Sequence, residues 1–282
     1  MQVTTIGLDI AKSVFQVHGI DAAERVVVRK QLRRGQVLAF FKALPPCLIG
    51  MEACATAHYW AREVTKLGHT VRLMPPKDVK AYVKRNKNDA ADAEAICEAV
   101  RRPTVRSVQV KSAVQQSQLM LHRTRDLLMR QRTQVINALR AHLAELGITA
   151  EQGTTGLKEL LRIIAKDDDE RLPVDAYASL VVLAAELQAM QTLIGSLEKR
   201  IMAQHRASEA SKRVATIPGI AVIGATAITA TVRHSVRGAI LRRGLGLCRG
   251  KIPPGENRSS VRSRNKAIAI CDAFWWWELM RC

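Results

Sequence analysis

Four carboxylates pose the first question. Asp9 closes the apolar run VTTIGLDIAK, Glu52 closes CLIGMEA, and Asp89 and Asp92 stand three apart in KNDAADAEAICEAV. Residues three apart share one face of a helix. A charge behind an apolar run, as at Glu52, is costly to leave bare. Four converging carboxylates repel one another unless cations sit between them. Their oxygens suit Mg2+ (or Mn2+). Two such ions about 3.5–4 Å apart activate a nucleophile and stabilise the leaving oxygen of a phosphodiester. Singly, each acid also has a plain structural reading: Asp9 as a turn or capping residue, Asp89 and Asp92 as complements of a helix dipole. Asp78 and Glu94, close by, read as surface residues.

Convergence needs a scaffold. VTTIGLDIAK, VFQVHGI and ERVVVRKQ are rich in β-branched residues and separated by polar turns, which predicts a three-strand meander. GQVLAFFKAL reads as a helix stopped by Pro45-Pro46, CLIGMEA as a buried strand, AHYWAREVTKLG as a helix stopped by Gly68, and HTVRLMP as a strand ended by Pro75. KNDAADAEAICEAV reads as an amphipathic helix opened by acids. The order predicts an α/β fold, a ribonuclease-H-like mixed sheet flanked by helices. Asp9 falls on its first strand, Glu52 at the end of its fourth, and Asp89 and Asp92 on a covering helix.

Three blocks, GLDIAK, GMEACATAHYWA and VKRNKNDAADAEAI, resemble the acidic blocks of the DEDD transposases, the recombinases of the bacterial IS-one-ten insertion sequences. The resemblance spans roughly residues 5–100 and agrees in order, spacing and flanking residues. It implies that the family's four metal-binding acids correspond to Asp9, Glu52, Asp89 and Asp92. It further implies a RuvC-like N-terminal domain, a helical middle, and a C-terminal domain bearing a nucleophilic serine. A structured guide RNA that bridges donor and target DNA is implied as a partner by the resemblance alone.

Composition fits a polyanionic partner. The 282 residues carry 44 Lys and Arg against 25 Asp and Glu, a net charge of +19. Cations at this density displace counterions from phosphate backbones. The six cysteines, at 47, 54, 97, 248, 271 and 282, form no Cys-x-x-Cys pair and read as ordinary thiols. No apolar run is read as long enough to span a bilayer and no secretion signal is seen. The expected location is therefore cytoplasmic, with no membrane partner.

Domain boundaries are expected at 1–110 for the carboxylate-bearing domain, 111–205 for a helical coiled-coil region, 206–232 for the start of a truncated helical C-terminal domain, and 233–282 for a poorly ordered tail. In the helical region, Leu121, Leu128, Val135, Leu139, His142 and Leu146 form one expected stripe. Leu183, Leu187, Met190, Ile194, Leu197 and Ile201 step by 4, 3, 4, 3 and 4, a heptad pattern. The two helices pair either as an internal antiparallel hairpin or with another subunit, and a homo-oligomer is the favoured expectation. Arg123, Arg125, Arg130, Arg132 and Arg140 on the first helix are candidate nucleic-acid contacts, Arg123 and Arg130 foremost. KRVATIPGIAVIGATAITATV resembles a helix-hairpin-helix, with Pro218 and Gly219 as candidate DNA contacts, although Ala221 replaces the motif's second glycine.

After Val232 the resemblance stops. Residues 233–282 hold 11 Lys and Arg against 3 Asp and Glu, or +8, while the rest of the chain carries +11. Three of the four tryptophans, Trp275 to Trp277, are consecutive here. Read one base earlier, permitted codons for ILRRGLGLCRGKIPPGEN can spell DFAAWLGLVPRQNSTGGK, a stretch like those that continue this family's sequences. The same offset turns the tryptophans into Val-Val within an apolar helix. The tail therefore reads as a frameshifted copy, degenerate and lacking the family's serine. Ser259 and Ser260 do not have that serine's context. Two alternatives stay open: a RuvC-type junction-resolving nuclease that needs only the four acids, and a DNA- or RNA-binding remnant without chemistry.

Overall fold

The structure is a computed structural model. It describes residues 2–83, 89–166 and 169–232, with the backbone alone of Asp89 and Ala90. It divides into two compact units, one over Met1–Ala113 and the other over Val114–His234. The expected tail, 233–282, lies outside the described residues.

The first unit is built on a five-stranded sheet in the order β3-β2-β1-β4-β5. The strands are β1 (Thr5–Ile10), β2 (Val14–Ile20), β3 (Val26–Arg33), β4 (Leu48–Glu52) and β5 (Thr70–Met74). β1, β2 and β3 pair antiparallel, whereas β4 runs parallel to both β1 and β5. A meander followed by parallel strands on its β1 side is the ribonuclease-H-like arrangement. Alternation along the strands sends Leu8, Phe15, Leu32, Ile49 and Met51 into one core, which they share with Val37 and Phe41 of α1 (Val37–Lys42) and with Trp60, Ala61 and Val64 of α2 (Ala57–Lys66). Phe15 meets Trp60 edge to face at 5.0 Å. Gly68, at φ +95, turns the chain from α2 into β5 as its stop position predicts.

The other face is covered by α3 (Pro76–Lys80) and α4 (Asp89–Arg101), whose Val79, Ile96, Ala99 and Val100 pack with Met74. Two glycines let α4 lie close. A Cβ on Gly7 would stand 2.1 Å from the Ala93 carbonyl oxygen and 2.5 Å from the Cys97 nitrogen. A Cβ on Gly50 would stand 2.7 Å from Val100 Cβ.

The second unit is helical. α5 (Ala113–Glu145), α6 (Thr154–Ile164) and α7 (Val174–Ala207) share a core of Leu139, Leu143, Leu157, Leu160, Ile164, Leu180 and Leu187. Arg125 pairs with Glu198 at 2.6 Å, so the start of α5 meets the end of α7 while Leu139 and Leu143 share the core with Leu180 and Leu187. This is an antiparallel hairpin within one chain. The heptad residues Leu187 and Leu183 pack inside it, which answers the pairing question for that part of α7 without a second subunit. The expected α5 stripe is also corrected: His142 is exposed, and Leu143 and His122 are buried in its place. α7 is, by length and composition, long and apolar enough to cross a bilayer, contrary to the expectation of no such run. Alanines among its larger side chains and the lone Glu186 conceal the run from a reading by large residues. Finally, α8 (Glu209–Ala215) and α9 (Val222–Thr231) flank a turn, with Ser208 Oγ accepting from the Ser211 N–H at the start of α8.

Candidate active site

The parity of the strands fixes where the carboxylates point. Side chains two apart share a sheet face. Gly7 and Gly50 are both pressed against α4, so Asp9 and Glu52, two residues further on, project from that same face. The parallel register pairs Gly7 with Gly50 and Leu8 with Met51. One step beyond stand Asp9 and Glu52, on strands about 4.8 Å apart. Both are half-buried at the C-terminal ends of their strands. The Gly7 contact with Ala93 places the N-terminal part of α4 over β1, and the helix opens with Asp89 at this end of the sheet. Asp92, one residue before Ala93, is half-buried.

The sheet thus places Asp9 beside Glu52, and α4 carries Asp92 over the same face. Among the described residues, no three His, Cys, Asp or Glu side chains gather closely enough to hold one ion. The side chain of Asp89 lies outside the described residues. The donor set is all carboxylate oxygen, the chemistry Mg2+ or Mn2+ favours. Two like charges on adjacent strands also raise the energy of the site unless a cation joins them. By donor type these residues suit a divalent ion.

Neighbouring groups are structural. Cys97 lies under β1 and burial pushes its thiol up to about 12, so it remains a protonated, apolar filler. Burial likewise pushes Cys47 up to about 11. His58, in the first turn of α2, accepts the Lys111 backbone N–H at 3.2 Å, while Arg62 donates to the Lys111 carbonyl at 2.7 Å. Together they tie the segment entering α5 onto α2. Sequence reasoning passed over Gly7, Gly50 and His58, although each lies within two to six residues of a candidate acid.

The nucleic-acid candidates divide. Arg123 is exposed, and Arg130 is exposed but paired with Asp126 at 3.0 Å. Arg125 is held by Glu198, and Arg140 donates to the carbonyls of Ala150, Glu151 and Gly153. Those two arginines serve the fold. Pro218 and Gly219 are exposed in the turn between α8 and α9, with Gly219 at φ +89. Ala221 takes φ −80, ψ 169, which any residue adopts, so its position has no need of the motif's glycine.

The sequence profile described as "Transposase", of the DEDD type typified by IS110, matches residues 6–148. A Pseudomonas aeruginosa protein named "Probable family 20 transposase" is 48% identical over 232 residues, covering 82% of this chain and 69% of that protein. The chain belongs to the IS110 (IS-one-ten) family of DEDD transposases. The transposase for insertion sequence element IS1328 of Yersinia enterocolitica is 35% identical over 251 residues, 89% of this chain and 74% of that one. Among solved structures, T. thermophilus RuvC in complex with Holliday junction substrate matches with a TM-score of 0.29 and 13% identity, covering 38% of this chain and all of RuvC. The fold assignment of this family member rests on its own strand order. The matched profile region contains all four expected acids.

Proposed function

We propose that this IS110-family chain cuts DNA strands at the ends and target of an insertion sequence, with Asp9, Glu52, Asp89 and Asp92 as the acids that hold Mg2+ (or Mn2+). The observation that carries the reading is the adjacency of Asp9 and Glu52 on the face of the sheet where α4 begins with Asp89 and Asp92. When bound, the metal supplies Lewis-acid stabilisation of the charge that develops on phosphodiester oxygens. The chain's own part is to fix the acids. β1 and β4 hold two of them at a shared strand end, and the glycine-seated α4 carries Asp92 above. Working in the cytoplasm, the protein would act on element DNA together with a structured guide RNA, and as a homo-oligomer.

Rejoining of strands is a separate matter. The family's nucleophilic serine lies beyond the region that Val232 closes, and the sequence after it reads as out of frame. The copy is therefore a degenerate transposase: a metal-dependent cutting half without its strand-exchange half. A junction-resolving nuclease activity, which needs only the acids, is the second reading, and the same loss favours it.

The test is cleavage of labelled element-end DNA and of a four-way junction, each with Mg2+ or chelator and with or without guide RNA. The proposal expects Mg2+-dependent nicking that Asp9→Ala abolishes while DNA binding persists, and no joined product. Joined product from this chain would refute the degeneracy. Nicking that survives Asp9→Ala would refute the assignment of the acids.

A further inference from the structure

The cations of the first unit are unevenly occupied. At the end of the sheet away from the acids Arg25 pairs with Asp21, Arg101 with Glu24 and Glu98, and Arg102 with Glu98, while exposed Lys42 makes no ion pair among the described residues. The acidic end is different. Lys12 lies in the turn after β1, Arg33 ends β3 opposite Val14, and Arg34 follows it. On the other edge, Lys77 and Lys80 lie on α3, which follows β5 directly. All five are exposed, and none makes an ion pair among the described residues.

The backbone that carries Lys12, Arg33 and Arg34 is tied together at one corner of the sheet. The Arg34 guanidinium lies 5.1 Å from the ring centre of buried Trp60, a cation–π arrangement. Its Nη1 donates to the Lys12 carbonyl at 3.5 Å, and the Arg34 N–H donates to the Ser13 carbonyl at 3.1 Å. The Arg33 N–H donates to Gln36 Oε1 at 2.9 Å. Strand parity puts Arg33 on the Asp9 face, in line with Gln31, which is aligned with Gln16 and Asp9. Arg34, one residue on, turns instead to Trp60, which shares the core of the opposite face with Phe15.

We propose that Lys12, Arg33 and Arg34 on one edge and Lys77 and Lys80 on the other form a phosphate clamp that lays the DNA to be cut across the acidic end of the sheet. The inference rests on reading Asp9 and Glu52 as the cutting acids, since the scissile phosphate must then lie between the two groups of cations. Five strands at about 4.8 Å spacing give a path of about 19 Å, roughly six nucleotide steps at 3.4 Å each. The clamp reads backbone and not bases, so it positions without selecting a sequence. DNA is the occupant because the acids' own substrate must cross this end.

The experiment uses the full chain and a labelled DNA duplex of arbitrary sequence, about 20 base pairs long so that it exceeds the roughly six-step path. Binding is followed by fluorescence anisotropy over a salt series. Combining Lys12→Ala, Arg33→Ala and Arg34→Gln should weaken binding about tenfold or more at moderate salt and lower the steepness of log K against log salt by roughly 2 to 3. Lys77→Ala with Lys80→Ala should lower it by roughly 1 to 2. Lys158→Ala with Arg162→Ala on α6 is the control and should change neither. Thermal melting checks that each variant is folded. Unchanged affinity and slope in either clamp variant overturns the proposal, as does a loss confined to an RNA of the same sequence with DNA binding intact. The two claims fail separately, because duplex binding is read without metal and without cleavage, whereas the acids are tested by Mg2+-dependent nicking.

Discussion

Gly7 of β1 sits so close beneath Ala93 of α4 that a Cβ on it would lie 2.1 Å from the Ala93 carbonyl oxygen. That contact sets how far the helix bearing Asp92 stands from the strand bearing Asp9. Gly7→Ala should therefore push α4 off the sheet and cost about 2–4 kcal/mol, at or above the usual range for overpacking a core. Thermal or urea unfolding checks the cost. Gly35→Ala, where a Cβ meets nothing within 4 Å, should change stability far less.

The opposite sign is expected on α7. Gly195 lies inside the helix with open space where a Cβ would go. Gly195→Ala should stabilise the hairpin by roughly 0.5–1 kcal/mol through helix propensity and reduced freedom of the unfolded chain. A rise in melting temperature of the helical unit is the readout.

His122 gives the hairpin an acid limb. Burial, helped by nearby Arg125, lowers its pKa to about 4 from the ordinary 6.5. Above pH 6.5 the ring is neutral in both folded and unfolded chains. As pH falls from 6.5 towards 4, the unfolded chain takes up a proton that the folded chain refuses, so stability drops and then levels off. The loss should reach roughly 3 kcal/mol at about 1.4 kcal/mol per pH unit. His122→Leu should flatten this part of the curve in urea melts run across the window.

The nucleotide sequence decides the tail. Codons 225 to 282 and those beyond should contain, one base out of frame, a stretch encoding the serine-bearing domain. Restoring the frame should restore recombination. If no frame encodes that domain, Trp275, Trp276 and Trp277 are genuine and the degeneracy is wrong.

Much of the first unit was legible because its signals are local. β-branched strands, the stops at Pro45, Gly68 and Pro75, and acids at the ends of apolar runs gave the sheet and placed Asp9 and Glu52 at strand ends. The seating of α4 was not legible, since Gly7 and Gly50 matter only once a helix from forty residues or more away lies on them. α6 was passed over although Leu157, Leu160, Leu161 and Ile164 mark an amphipathic face; the weak helix formers Thr154, Thr155 and Gly156 open it. The α5 stripe departs from the buried side at His142 for a geometric reason. Steps of seven drift about 20° per turn pair on a straight helix, so a line through Leu121, Leu128 and Val135 leaves the buried side before His142. Leu143 replaces it, while Leu139 of the expected stripe is buried as expected.

The central claim is that Asp9, Glu52, Asp89 and Asp92 hold a divalent ion together. Its most direct test is a calorimetric titration of the purified chain with Mn2+ alone, repeated with Asp9→Asn, Glu52→Gln and Asp92→Asn proteins shown to be folded. Saturable binding by the parent that each substitution weakens at least tenfold is the predicted result. Equal Mn2+ binding by the parent and all three variants would contradict it.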